Sequence, residues 1–326
     1  MVTARSLEIW EFRPSDYDAM ARIFNAIHPD RPRSSGELRY WDESVDRNKY
    51  VLKRYSAVET EHGHIVGYGD YRHSADLFHP KKFWIGLNVD PAMQRRGIGT
   101  MLYERIMRDM AEIDAITVRA DVREDKPDSI SFVKKRGFAE RMRAWESHLD
   151  VQEFDSSRFP GYVERMAGQG ITTSSLRELS EQDPQCHRKL YDLLKAVTAD
   201  MPSPDTFTPL SFEDLMRNTV LHPNCLQDGF FIARDGERYV GLSNLFKSEE
   251  QRGDLHQQDT GVLRDYRRRG IAMALKLEGI KFAKACGANV IKTGNDSTNE
   301  GMLAINVKLG FQRHVGWIMF EKNLQQ

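Results

Sequence analysis

Apolar and polar positions follow one order of periods in the first half of the chain and repeat that order in the second. Leu7 to Phe12 alternates as a short strand, Asp16 stands as the cap of a helical pattern reaching about Ala26, and Tyr55 to Arg72 reads as a hairpin turning at Glu61-His62-Gly63-His64. Phe83 to Val89 reads as a buried strand, Thr100 to Glu112 as an amphipathic helix, Ile116 to Val122 as a strand and Asp128 to Lys135 as a short helix, after which Gly137-Phe138 turns into a strand through Leu149. The second half gives a strand from Ile171 to Leu176, a helix from Gln185 to Val197 and a hairpin from Phe230 to Lys247 turning at Asp235-Gly236. A strand ending at Val262, a helix from Ile271 to Cys286, a strand from Val290 to Thr293, a short helix from Met302 to Lys308 and a last strand from Phe311 to Glu321 complete it. A mixed sheet flanked by helices, used twice, is the expected architecture, an α/β fold of the α+β mixed-sheet kind. Asp155-Ser156-Ser157 and Pro160-Gly161 break the pattern between the halves, with Tyr162 to Met166 able to add a helical turn. The expected division is therefore a domain over 1–150, a linker over 151–169 and a domain over 170–326.

The repetition has a register. Val262 follows Val89, Gly270 follows Gly97 and Gly310-Phe311 follows Gly137-Phe138 at a constant spacing of 173 residues. Leu102 with Leu275, Ala115 with Ala288 and Lys135 with Lys308 keep that spacing, and Val66-Gly67 matches Val240-Gly241 at 174. Ordered matches over this length imply duplication of a whole domain.

Composition narrows the class without changing this picture. The chain has 326 residues, 40% of them hydrophobic and 29% charged, which suits a soluble protein with two cores of ordinary size. No apolar run approaches a bilayer span and Met1 to Glu8 lacks the apolar core of a signal peptide, so a cytoplasmic location is expected. A formal net charge of −1 points to neither a nucleic-acid nor a membrane partner. The three cysteines, Cys186, Cys225 and Cys286, are scattered without disulfide or zinc spacing, and no metal is expected. Cys286, in a helical run, is expected in a buried apolar role rather than as a catalytic thiol.

The repeated turn carries chemistry. Val89-Asp90-Pro91-Ala92-Met93-Gln94-Arg95-Arg96-Gly97-Ile98-Gly99 and Val262-Leu263-Arg264-Asp265-Tyr266-Arg267-Arg268-Arg269-Gly270-Ile271-Ala272 each run from a strand end through a basic, glycine-bearing turn into a helix. Successive backbone N–H groups from about Arg95 to Gly99, and from Arg268 to Ala272, lack helical partners and can converge on a pyrophosphate. A side chain at Gly97 or Gly270 would block that approach. The arginines are either phosphate contacts or solvated.

Both turns, Gln94-Arg95-Arg96-Gly97-Ile98-Gly99 and Arg267-Arg268-Arg269-Gly270-Ile271-Ala272, resemble the (Gln/Arg)-x-x-Gly-x-(Gly/Ala) turn of the GCN5-related N-acetyltransferase (GNAT) superfamily, and each has the strand before and helix after that the superfamily requires. The tandem arrangement resembles the two-domain type of mycothiol synthase and its relatives. The resemblance implies two acyl-CoA N-acyltransferase domains, with acetyl-CoA as co-substrate. It implies cofactor contacts from Val262, Arg267, Arg268, Arg269, Gly270, Ile271 and Ala272 in one copy, and from Val89, Gln94, Arg95, Arg96, Gly97, Ile98 and Gly99 in the other.

The copies differ downstream. Thr293-Gly294-Asn295-Asp296-Ser297-Thr298-Asn299 leads into the last helix of the second copy, and the resemblance assigns Asn295 and Asn299 to holding the CoA arm. The first copy has Lys126 in place of Asn299, within the charged Arg123-Glu124-Asp125-Lys126-Pro127-Asp128. Where many members carry a tyrosine acid four residues before the closing glycine-phenylalanine pair, this chain has Asn306 and Val133, so a strict acid–base scheme is in doubt. Asn306 is a candidate to hydrogen-bond the sulfur or pantetheine amide, or else a packed asparagine. On the strand before the second turn, Asp259 and His256 are the candidate general bases, and simple alternation faces them oppositely. Asp259 is preferred to His256, against the alternative of an ordinary strand-end carboxylate. The first copy offers Trp84-Ile85-Gly86-Leu87-Asn88 there, with no acid or base. The C-terminal domain is therefore expected to be catalytic, and the N-terminal one to bind CoA unproductively or to be structural.

The Pro-rich loops His28-Pro29-Asp30-Arg31-Pro32 and Ala199-Asp200-Met201-Pro202-Ser203-Pro204-Asp205 are expected over the acyl cleft, with Asp200 either attracting a cationic amine or capping the following helix. The expectation is an N-acetyltransferase acting on a primary amine of a small molecule, as monomer or homodimer. The alternatives are a non-enzymatic CoA-binding or regulatory protein, or an acyltransferase using another acyl-CoA. Neither glycine turn is followed by the Lys-Ser/Thr of a nucleotide hydrolase.

Overall fold

The computed structural model describes residues 7–248 and 250–325, so the expectation for Met1 to Glu8 falls, over residues 1–6, outside the described residues. The residues group into two compact units: one runs to Arg141 and adds the chain from Ile318 onward, and the other is Met142–Trp317.

In the first unit the order is β1 (Leu7–Glu11), α1 (Tyr17–Ile27), α2 (Ser35–Glu43), β2 (Leu52–Glu59), β3 (His64–Arg72), β4 (Lys82–Val89), α3 (Ile98–Glu112), β5 (Thr117–Arg123) and α4 (Pro127–Lys134). β6 (Ala139–Asp150) then carries the chain into the second unit, followed by α5 (Tyr162–Ala167), β7 (Ile171–Ser175), α6 (Leu176–Gln182), α7 (Cys186–Thr198) and α8 (Phe212–Asn218). β8 (Cys225–Asp235), β9 (Arg238–Lys247), β10 (Asp254–Val262), α9 (Ile271–Ala285), β11 (Val290–Asp296), α10 (Glu300–Leu309) and β12 (Gln312–Asn323) complete the order.

In the first unit the strand order is β1-β2-β3-β4-β5-β12, and in the second it is β6-β11-β10-β9-β8-β7. Strands β1–β2, β2–β3 and β3–β4 pair antiparallel in the first unit, as do β6–β11, β10–β9, β9–β8 and β8–β7 in the second, while β4–β5 and β10–β11 are parallel. The end of β12 belongs to the first unit, where the Arg119 guanidinium bonds Glu321 at 2.7 and 2.8 Å and the Leu324 N–H donates to the Ile116 carbonyl at 2.8 Å. β6 from Met142 belongs to the second unit, with Ala144 to Asp150 paired along β11. The packed units thus differ from the contiguous division expected at 150 and 170, because each takes its final strand from the other repeat. Residues 151–169, expected as a linker, pack as part of the second unit: Val151, Phe154 and Met166 are buried in its cores.

Apolar spacing explains the two long helices. Ile98, Leu102, Ile106 and Met110 recur at the four-residue interval that places them on one buried stripe of α3, and Ile271, Leu275, Gly279 and Ala283 do the same on α9. Both helices press closely on their sheets, which is why glycine recurs on the facing strand. A Cβ at Gly67 would lie 3.2 Å from Ile98 Cγ2, and one at Gly241 3.3 Å from Ile271 Cγ2.

Three local expectations are corrected. Asp16 occupies the N-cap position of α1 but makes no side-chain cap bond; its carboxylate instead accepts from the Arg13 N–H at 3.0 Å and Ser56 Oγ at 2.8 Å. Cys286 is exposed, standing at the C-cap just past the end of α9, while Cys186 is the buried cysteine. Helices α2, α6 and α8 lie where no helix was expected; each is short and begins at a serine, Ser34, Ser175 or Ser211, whose hydroxyl accepts an N–H of the first turn. Among the described residues no helix is long and apolar enough to cross a membrane.

Candidate functional site

The two glycine turns have the same backbone. Gln94 and Arg267 are extended, at φ −63° and −66°, Arg95 and Arg268 are left-handed at +64° and +61°, and Gly97 and Gly270 both stand at +85° immediately before a helix. A left-handed arginine is uncommon, and its recurrence at matched positions marks a turn held in shape for a purpose. The result is a run of N–H groups at a helix start, a nest with the partial positive charge of fifteen aligned peptide residues behind it. The front of the nest is open: a Cβ at Gly97 would meet nothing within 4 Å, and one at Gly270 only Tyr162 Cδ1 at 3.7 Å.

Side chains that were expected to touch cofactor also hold the turn. Gln94 Nε2 donates to the Val89 carbonyl at 3.1 Å and Arg267 Nε to the Val262 carbonyl at 3.0 Å, the same tether built from different residues. Ile98 and Ile271 bury their side chains, so only their N–H groups face the nest. Arg95 pairs with Asp128 at 3.2 Å, both largely exposed, which makes that pair energetically slight. Arg96 and Arg268 are exposed, while Arg269 lies over the Tyr266 ring at 4.9 Å. Gly99 and Ala272 occupy the first helical turn, as their small size in the sequence suggests.

Asp200 has a different task from either one expected. Its carboxylate accepts from Arg264 Nε at 2.8 and 2.9 Å, from Arg264 Nη2, and from Arg267 Nη2 at 2.5 Å, and these cations lower its pKa. Ser211, not Asp200, caps α8. Asp200 therefore ties the end of α7 to the second turn. Its carboxyl binds protons more weakly in the folded than in the unfolded chain. The pair's stabilisation is thus present above the ordinary carboxylate range and is lost as pH falls through the lowered value. Asp200→Ala is expected to free Arg267 and weaken binding of a pyrophosphate-bearing ligand at the second turn about tenfold, as charge-assisted contacts of this kind allow; calorimetric titration with CoA checks it, and unchanged affinity would leave the clamp without function.

Beyond the turn, the parallel strands part. β10 and β11 pair from Asp254↔Val290 only to Gln257↔Thr293, and β4 and β5 only to Trp84↔Arg119. In the second unit the register of β10 against β9 also shifts between Gln257 and Thr260, whereas β4 against β3 runs unbroken. This bulge removes the simple alternation assumed between His256 and Asp259. It sets Asp259 beside Asn244, whose Oδ1 accepts the Asp259 N–H at 2.7 Å and whose Nδ2 lies 3.5 Å from Asp259 Oδ2. Loss of solvent pushes the Asp259 carboxyl above the ordinary range, the Asn244 amide opposing weakly. No cation lies within ion-pair distance of it among the described residues.

Asn295, on β11, accepts from Asn306 Nδ2 at 2.7 Å, and Asn306 is buried with its Oδ1 unpartnered. A buried acceptor without a donor suits a ligand N–H or S–H. Asn299 caps α10, accepting the Met302 N–H at 3.3 Å, so one face of its amide is already used. The first unit holds its nearest carboxylate differently: Asp70, one strand over, fills the space above Gly86, where a Cβ would meet Oδ1 at 2.8 Å, and is neutralised by Arg72 at 2.6 Å.

The model of the acetyltransferase (GNAT) family matches the chain over residues 17–138 and again over 188–311. A GCN5-related N-acetyltransferase from Sphaerobacter thermophilus has a similar structure, with a TM-score of 0.70 at 18% identity over 100% of this chain and 98% of that one. A tandem GNAT protein from the clavulanic acid biosynthesis pathway gives 0.71 at 16% identity over 98% of each chain. The glucosamine N-acetyltransferase region of a fungal multi-domain β-N-acetylglucosaminidase gives 0.72 at 15% identity over 98% of this chain and 38% of that one. By sequence, no curated protein matches.

Proposed function

Because the chain belongs to the acetyltransferase (GNAT) family, we propose that its second unit transfers the acetyl group of acetyl-CoA to a primary amine of a small molecule in the cytoplasm, by direct attack within a ternary complex. The reading is carried by one coincidence. A pyrophosphate nest, a parting pair of strands and a desolvated carboxylate free of any cation occur together at the end of β10. The first unit has the nest and the parting strands without the carboxylate on β4.

Acetyl-CoA supplies an electrophilic thioester carbonyl. The N–H groups from Arg268 to Ala272 bind its pyrophosphate, Asn306 Oδ1 and the Asn299 amide steady its arm, and the N–H groups near Val262 polarise the carbonyl. The amine nitrogen bonds to that carbon as the C=O electron pair moves to oxygen; collapse re-forms C=O and expels the CoA thiolate, which takes a proton from water. Asp259 receives the proton lost by the nitrogen, directly or through one water, and its raised affinity for protons suits it to the task. Free thiol release from acetyl-CoA across a panel of amines tests the proposal; a folded protein that binds CoA but releases no thiol with any amine would favour a regulatory CoA-binding role instead.

A further inference from the structure

One buried cation has no part in this scheme. Lys276, on α9, is 2% exposed, and no carboxylate lies within ion-pair distance of it among the described residues. Its Nζ donates to Gln257 Oε1 and sits 5.0 Å from the Phe311 ring centroid. An ammonium without a counter-ion in a protein core is destabilising unless something else retains it. Burial lowers its pKa to about 7.

Where Lys276 points gives the reason. Gln257 is the last residue of β10 paired with β11, and the last paired with β9 before the bulge. Its Nε2 donates to Ser243 Oγ at 2.6 Å, Ser243 Oγ lies 3.1 Å from Thr260 Oγ1, and the Gln257 carbonyl accepts from Thr293 Oγ1 at 3.2 Å. Ser243 pairs with Thr260, the first residue on the far side of the bulge. The chain of bonds from Lys276 therefore spans the bulge and fixes both its ends, leaving Gln258 and Asp259 as the residues displaced between them. The first unit supports the link by omission: Tyr103 stands 173 residues before Lys276, and its strand β4 has no register shift against β3.

We propose that Lys276 is a positioning residue for acyl transfer, holding the Gln257 amide so that the β10 bulge presents Asp259 to the acceptor amine. The proposal rests on the N-acetyltransferase reading above. Lys276 touches neither reacting group; it sets the strand that carries one of them.

The test compares Lys276→Met, Gln257→Leu and the double variant for thermal midpoint, acetyl-CoA affinity and kcat. Each single change is expected to lower kcat roughly 10- to 100-fold, the scale of a small misplacement of a reacting group, with acetyl-CoA affinity within twofold. The double variant is expected to lose no more than either single one, because both break the same chain. It removes both partners of the buried bond, so it also guards against a fold lost through one orphaned group. A kcat within twofold of wild type in folded Lys276→Met, or multiplicative losses in the double variant, overturns the proposal. A wild type that acetylates no amine overturns this inference and the function it rests on together, whereas an active wild type with an equally active Lys276→Met overturns this inference alone.

Discussion

Gly270→Glu is expected to raise the acetyl-CoA dissociation constant about a hundredfold or more, a loss of about 2.7 kcal/mol. A side chain at φ +85° forces a non-glycine residue into the left-handed region, a cost of about 1–2 kcal/mol to the folded chain that is the same with or without ligand. A carboxylate at the mouth of the nest then repels the pyrophosphate that the N–H groups would bind. The new side chain meets no backbone in the folded chain, only Tyr162 Cδ1 at 3.7 Å, so stability should fall by no more than that backbone strain while the hundredfold loss is expected in binding. Gly97→Glu is the matched experiment in the first unit, where nothing lies within 4 Å of the new Cβ. Calorimetry should give a stoichiometry falling from two to one if both nests bind, and activity should survive Gly97→Glu while vanishing with Gly270→Glu. The opposite ranking would move catalysis to the first unit.

Asp259→Asn is expected to lower kcat by roughly 10²–10⁴-fold, the usual contribution of a positioned base. Acetyl-CoA affinity should barely move, because the pyrophosphate nest does not include this residue. Stability should respond in the opposite sense to activity. A carboxyl whose folded pKa is raised contributes stability below its unfolded value and loses it as pH rises through the folded value, so ionised Asp259 is a burden at neutral pH. Asp259→Asn should therefore unfold no more readily than wild type at pH 7, with any gain disappearing below the ordinary carboxylate range; thermal unfolding across pH measures this. The rate of wild type should rise with pH through the raised pKa of Asp259, and the variant should lack that limb. Superimposable pH–rate profiles would leave the reaction to positioning and oxyanion stabilisation alone.

The sequence by itself determined what depends on neighbours in the chain. The strand and helix periods, the glycine that must stand at positive φ before each long helix, and the small residue that lets α3 or α9 approach its sheet are all local requirements, and the 173-residue register doubles each signal. Arg267 was legible as part of the turn, although its bond to the Val262 carbonyl was not. Four features were decided only by tertiary structure. The end strands β6 and β12 are copies of one another, so the pattern of either suits either sheet, and only packing sends each to the other repeat. Asp200 reads as a loop acid until the turn's arginines arrive from 64 and 67 residues away. The bulge at Gln257 to Thr260 has no glycine to announce it, since it depends on how β9 and β10 meet. Lys276 interrupts an otherwise apolar stripe and reads as an error of pattern; its meaning lies in Gln257, Ser243 and Thr260, which belong to strands that come together only when the sheet has formed.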